Sequence, residues 1–337
     1  MRTGIDPLRS RPARARPPGI WLAALALLVL GIAVPAHSTR AAEFGANPWI
    51  KGFTDIYAGI LPTALGLYFR NDVYHYEASA ERTVFNGFVQ LGVEQDLTAT
   101  IATFTYITPW KILGGTYGFG VAPAMMAADV NVGIGLPQIT GPLGRTFGPF
   151  NFKTGETNLA PGDTGIIPVL LGWHAGNFHW NFATFALAPT GDYSTKQLAN
   201  TSLNHWAIMP RVAATYFNPK TGWQVNGSAI YVFNFENEAT DYKSGEILNL
   251  EGNITKNLGR WGLGLSAYAM IQTTPDTGAG ARLGDFESRV NGIGPMLTYT
   301  LGDRKNPLTF IAKYYKEFDA ENTFEGESFD IAVTAKF

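Results

Sequence analysis

The feature that most constrains this chain is a strict two-residue alternation sustained over segments too long for ordinary strands. In "GWQVNGSAIYVFNFEN", Trp223, Val225, Ala229, Tyr231, Phe233 and Phe235 fall on one face, and Gln224, Asn226, Ser228 and Asn234 on the other. Period two means a β-strand with one apolar and one polar face. The last residues, "FDIAVTAKF", repeat the pattern: Phe329, Ile331, Val333, Ala335 and Phe337 alternate with Asp330, Ala332, Thr334 and Lys336. After residue 36 no uninterrupted apolar run approaches the roughly 20 residues of a spanning helix. A chain of this kind that enters a membrane must therefore do so as strands, each of which needs only about 9–11 residues.

The chain start supplies an export signal. Arg2, Arg9, Arg11, Arg14 and Arg16 precede an uncharged run from Gly19 to Ala36, followed by small residues. This reads as a signal peptide over 1–36, cleaved between 36 and 42, with an uncleaved anchor as the alternative. Its removal takes away five Arg and one Asp, leaving 20 basic and 26 acidic residues, a net charge of −6. That balance, without a basic stripe, argues against nucleic acid as a partner. With 38 glycines, 13% aromatic and only 15% charged residues, the composition is also unlike that of a typical soluble domain. The chain has no cysteine, so disulfides are not what holds it together.

Counting back from the C-terminus predicts strands near 326–337, 307–318, 286–301, 260–273, 245–257, 222–236, 204–217, 178–190, 161–173, 115–133, 90–108 and 62–77. Tight turns rich in Gly, Pro, Asn or Asp ("PWKILGG", "WHAGN", "NPKTG", "NLGRWG", "GDRKNP") alternate with longer polar loops near 134–160, 191–203, 237–245, 274–285 and 319–325. The expected fold is all-β: a transmembrane antiparallel up-and-down β-barrel of about 12 strands over 62–337, with apolar faces turned to lipid. A soluble β-sandwich also alternates, but it has shorter strands and no aromatics at the strand ends. Residues 43–61 form a short periplasmic or lumen-entering segment before the first strand.

Several short matches are read as structural. Two "DTG" tripeptides, at 163–165 and 276–278, could suggest an aspartic-protease pair, but they sit in turns. Ser202 and His205 in "NTSLNHW" are the alternative of a barrel hydrolase. His174 and His179 flank a turn beside Trp173 and Trp180, as expected of a lipid interface. No catalytic residue, metal ligand or cofactor site is assigned. The inward face collects His179, Asn181, Arg211, Gln224, Asn226, Asn249, Glu251, Arg289 and Lys313, together with Met209, Tyr268 and Tyr315. Such a mixture of polar and aromatic groups suits amphipathic aromatic solutes better than ions.

The stretch "YITPWKILGGTYGFGVAPAMM" and the region containing "GWHAGNFHW", "APTGDY" and "TDYKSGE" resemble the bacterial outer-membrane family known as the MetA pathway of phenol degradation, or SphA-like. "GILPTALGLYFRNDVYHY" is similar to that family's first strand. A looser likeness is to FadL-type channels for hydrophobic compounds, which carry a larger N-terminal hatch. The resemblance implies an outer-membrane channel of a Gram-negative bacterium for passive uptake of small hydrophobic or aromatic, phenol-like compounds. It offers no settled ligand residues. The expected partners are these solutes, the lipid of the outer membrane and, during biogenesis, the barrel-assembly machinery, for which Phe337 is the expected tag. Within the wall, Arg211, Glu251, Asn226, Asn249 and His179 are the candidate polar ligand groups, and Tyr268 and Met209 the candidate ring contacts. The alternatives are the hydrolase and a closed structural barrel without transport.

Overall fold

The computed structural model describes residues 47–84, 89–136, 139–140, 146–147, 150–281, 287–302 and 307–337. The expected signal peptide, its cleavage site and residues 43–46 lie outside the described residues. The strands are β1 (Gly66–Val84), β2 (Val89–Ile112), β3 (Gly115–Ala122), β4 (Ala124–Leu136), β5 (Ile139–Thr140), β6 (Thr146–Phe147), β7 (Phe150–Pro161), β8 (Thr164–Ala175), β9 (Phe178–Ala188), β10 (Ala207–Asn218), β11 (Trp223–Asn234), β12 (Ile247–Leu258), β13 (Trp261–Gln272), β14 (Arg289–Leu301), β15 (Leu308–Glu321) and β16 (Glu325–Lys336).

Among the described residues, twelve of these strands close a ring. β8 to β16 pair antiparallel in sequence order, β16 pairs with β1, β1 with β2, β2 with β3, and β3 with β8. Closure removes every sheet edge from the lipid, which a spanning sheet requires because hydrocarbon satisfies no N–H or C=O group. The short connections gather at one end, where the wall also begins at Gly66 and finishes at Lys336. In one of these, Leu113 and Gly114 both have positive φ (51° and 75°), the primed turn that matches strand twist in a two-residue hairpin.

The alternation sorts the side chains as expected for lipid outside. On β13, Trp261, Leu263 and Leu265 are exposed, while Ser266, Tyr268, Met270 and Gln272 are buried. On β16, Phe329 and Ile331 face out, and Ser328, Asp330 and Ala332 face in. Exposed aromatics ring both ends of the band: Trp110, Phe178, Trp223 and Trp261 at the short-turn end, and Trp206, Phe233 and Phe318 at the loop end.

Two expectations are corrected. The loop placed at 134–160 contains β7, which pairs with β4 from Met125↔Pro161 to Leu136↔Phe150. The first strand runs over Gly66–Val84 rather than 62–77, and pairs with β2 along its whole length. β2 is long enough to pair with β3 through its second half and with β4 through its first half. β2, β4 and β7 thus carry the sheet beyond the ring on one side of the loop end. The step falls at Pro123 between β3 and β4 and at Gly162–Asp163 between β7 and β8, where ladder pairing stops.

Candidate functional site

Residues 47–64, ahead of β1, run inside the barrel. Their sequence has neither period two nor a helical stripe, so their own backbone groups must be satisfied by the wall. Glu251 holds three donors: Oε1 accepts the Trp49 indole N–H and the Gly52 amide N–H (2.9 Å each), and Oε2 accepts the Thr54 amide N–H (2.7 Å). Asn226 Oδ1 accepts the Ala58 N–H, Thr215 Oγ1 the Gly59 N–H, and Asn181 Nδ2 donates to Ala58 O. Asn253 Nδ2 donates to Asp55 O, while Lys313 Nζ and the Tyr315 hydroxyl both donate to Gly52 O. Gly52 is required there, because its φ is +74° and a Cβ would lie 2.5 Å from the Tyr315 ring.

Two ion clusters fix the same segment. Asp55 is paired with Arg70 and with Lys313 (2.7 Å), and Lys313 also reaches Asp330 (3.0 Å). Arg70 Nε donates to both carboxylate oxygens of Asp72, at 2.9 and 2.8 Å. In the second cluster, Lys51 pairs with Glu317, whose oxygens also accept the Tyr76 and Tyr268 hydroxyls and the Gly326 N–H. In the buried Lys51–Glu317 pair, removal of either partner would leave its mate uncompensated, a loss of about 3–5 kcal/mol. Trp49 adds an apolar anchor among Met209, Ile230, Val232, Ile247, Met270 and Val290, with the Phe185 ring 5.3 Å away. The segment is a small plug.

The plug is fastened to one side only. Its hydrogen bonds and ion pairs go to β1, β9, β10, β11, β12 and β15, and among the described residues none goes to β2, β3, β4 or β8. Directly beneath it the inward face is covered: Gln224, Asn249, Lys313 and Glu317 are at most 1% exposed. On the free side the inward residues are mostly apolar, with Gln95, Thr103 and Thr105 of β2 among them, and Leu97, Ala122, Ala124, Met126, Val130 and Leu170 remain half-buried. A cavity of about 2010 Å³ runs past that side, from Glu81 and Leu91 at the loop end to Pro307, Thr309 and Lys336 at the short-turn end, and is also lined by Arg70, Asn181 and Arg211 of strands that hold the plug. Ile56 and Ile60 of the plug form its opposite bank, and Leu61 packs onto Gly172 of β8.

The structure draws five of the seven predicted lumen residues into plug binding or its supports. Glu251, Asn226 and Asn249 bond it directly, the last accepting from Asn47 Nδ2 at 2.8 Å. Tyr268 braces Glu317 and lies against Gly52, and Met209 packs in the Trp49 cluster. Arg211 lines the cavity with, among the described residues, a single long hydrogen bond, to Asn181 at 3.4 Å. His179 stands at a short turn, where its Nδ1 lies 2.7 Å from His174 Nδ1, outside the cavity lining. Sequence reasoning missed Lys51, Asp55, Arg70, Asp72 and Glu317. Arg70, Asp72 and Glu317 fall on the inward phase of β1 and β15, and an inward charge that needs a partner is the signal that was available.

The other motifs serve the loops. Asp163 accepts the Gly191 and Leu203 N–H groups, and Asp276 the Gly245 N–H and the Tyr242 hydroxyl. Each "DTG" carboxylate thus pins a different loop. Burial pushes the Asp276 carboxyl above its usual range, partly offset by these hydrogen bonds. Ser202 Oγ accepts the Asn204 N–H, while His205 engages Leu203 O and Asn234 Oδ1, so the two do not form a nucleophile–base pair.

Comparison with known proteins agrees with this geometry. The family model described as "Putative MetA-pathway of phenol degradation" matches residues 78–332. The chain belongs to this family. Among solved structures, it is similar to the COG4313 outer membrane channel from Pseudomonas putida F1, with a TM-score of 0.55 at 12% identity, covering 83% of this chain and 97% of that one. CdiB from Acinetobacter baumannii also aligns, with a TM-score of 0.37 at 8% identity over 81% of this chain and 60% of that one. No curated protein sequence matches. This member of the family has the fold of an outer-membrane β-barrel, and its short-turn end is the periplasmic one.

Proposed function

We propose that this outer-membrane channel passes small hydrophobic or aromatic compounds, phenol-like in character, along the apolar side of its lumen beside the seated plug. The observation that carries this reading is the asymmetry of the lumen: the polar, charged side is occupied by the plug, while the side left free is lined by Leu97, Ala124, Met126 and Ile167. An apolar wall adds little desolvation penalty for an arene but offers a hydrated ion no replacement for its shell. No step needs an energy source, so flux follows the concentration gradient maintained by consumption inside the cell. The link to aromatic degradation rests on the family description. Cells with the gene should take up labelled alkylphenol faster at limiting concentration than cells without it. Equal uptake would remove the transport reading and favour a closed structural barrel.

Phe337 belongs to the same proposal through biogenesis. The residue is 75% exposed, and it is tied to the wall by one backbone bond, from its N–H to Leu67 O at 2.9 Å, and a tilted ring contact with Phe69 at 6.4 Å. Deleting Phe337 should therefore lower the amount of barrel reaching the outer membrane while leaving the melting temperature of the assembled fraction nearly unchanged. Normal surface levels would count against an assembly signal.

A further inference from the structure

Among the described charged residues of the lumen, Glu251 and Arg211 make no ion pair, and only Glu251 is satisfied instead by hydrogen bonds, from three N–H groups of the plug. Lys51, Asp55, Arg70, Asp72, Lys313, Glu317 and Asp330 all have ionic partners within the ion-pair distance, but among the described residues no carboxylate reaches Arg211. Its hydrogen bond is to Asn181 Oδ1, 3.4 Å from Nη1, and its buried Nε has no acceptor among the described residues. The acids whose fields act on it are committed elsewhere. Glu251 accepts three N–H groups of the plug, and Asp55 is held by Arg70 and Lys313. Arg70, the other nearby cation, is taken up by Asp55 and Asp72.

A guanidinium presents five N–H donors in a planar fork that matches a carboxylate with two parallel hydrogen bonds. Arg211 projects this fork into the cavity, where Met209, Phe185 and Leu187 supply an apolar surface beside it. From this juxtaposition we propose that Arg211 is a binding point for solutes that join a carboxylate to an apolar or aromatic body, and that it makes the channel prefer such acids over neutral isosteres. The proposal deepens the conduit reading and rests on it for its place in transport. Glu251 and Asp55 oppose a second anion, so binding is weak and reversible, as passage through a channel requires.

The test uses the full barrel in detergent and in liposomes, with 4-ethylbenzoate and the neutral 4-ethylbenzyl alcohol as probes. In calorimetry, the wild type should bind the carboxylate at least tenfold more tightly than the alcohol. Arg211→Gln should abolish that difference, and Arg211→Lys, which keeps the charge but loses the fork, should restore part of it. In liposomes, the carboxylate-to-alcohol flux ratio should fall in Arg211→Gln. Equal wild-type affinity for the two probes overturns the proposal whether or not a variant folds. Arg211-dependent binding without protein-dependent flux of either probe upholds the site and removes the conduit. Flux of both probes with a ratio indifferent to Arg211 upholds the conduit and removes the site.

Discussion

Replacing Glu251 with Ala is expected to raise the single-channel conductance in planar bilayers several-fold, without unfolding the barrel. Three N–H groups of the plug converge on this one carboxylate, from Trp49, Gly52 and Thr54. Hydrogen bonds to a charged acceptor contribute about 1.5–3 kcal/mol each. Their loss should let the stretch from Trp49 to Thr54 leave the wall, opening the polar side of the lumen, whose walls can then hydrate ions. The ring itself is held by backbone ladders from β1 round to β16, which do not involve the Glu251 side chain. The altered protein should therefore keep the compact electrophoretic mobility of a folded barrel. A conductance equal to wild type would mean that the remaining contacts, chiefly Asp55 with Arg70 and Lys313, hold the plug without Glu251.

Substitution of Ala124 with Trp should have the opposite effect on a different quantity. Ala124 lies on the inward face of β4, opposite Ile101 of β2, at the step where the wall changes height, and it lines the cavity on the side the plug leaves free. An indole there fills space that a passing arene would need, with no bond to the plug disturbed. Flux of alkylphenol should fall about tenfold or more, corresponding to ~1.4 kcal/mol of added barrier. Ala267→Trp is the matched control, since Ala267 is on the outward face of β13 and the ring would enter lipid. Unchanged flux in Ala124→Trp would place the path elsewhere.

The membrane is what made the barrel legible in the sequence. Lipid imposes an apolar stripe on every strand that crosses it, so "RWGLGLSAYAMIQT" and "FDIAVTAKF" declare both their structure and their orientation. Where the sheet rises beyond the ring, that requirement lapses. Lys153, Thr154, Glu156, Thr157 and Asn158 of β7 carry no apolar face, since backbone pairing with β4 is what makes them a strand, and the stretch therefore looked like a loop. The extension of β1 past residue 77, through Ser79 and Glu81, was hidden for the same reason.

The inward faces were legible as a set of residues but not as a site. Glu251, Asn226, Asn249 and Tyr268 were identified by phase alone, and phase cannot tell a group that greets a solute from one that holds the chain's own segment. That distinction depends on contacts between residues about 200 positions apart, such as Trp49 with Glu251. Asp55 shows the difficulty most clearly. It lies in a stretch with no period to fix its direction, yet it is the acid on which Arg70 and Lys313 meet.

The central claim is that solutes pass beside a plug that stays in place, and a cross-link tests it most directly. The Thr54 and Ser228 hydroxyls are 2.6 Å apart, one on the plug and the other on β11, and the chain has no cysteine of its own. In the Thr54→Cys, Ser228→Cys double variant, oxidation should tie the plug to the wall. Alkylphenol flux into liposomes, measured before and after reduction of that bond, should be the same in both states. Flux that stops on oxidation and returns on reduction would contradict the account, because it would show that the plug must move for solutes to pass.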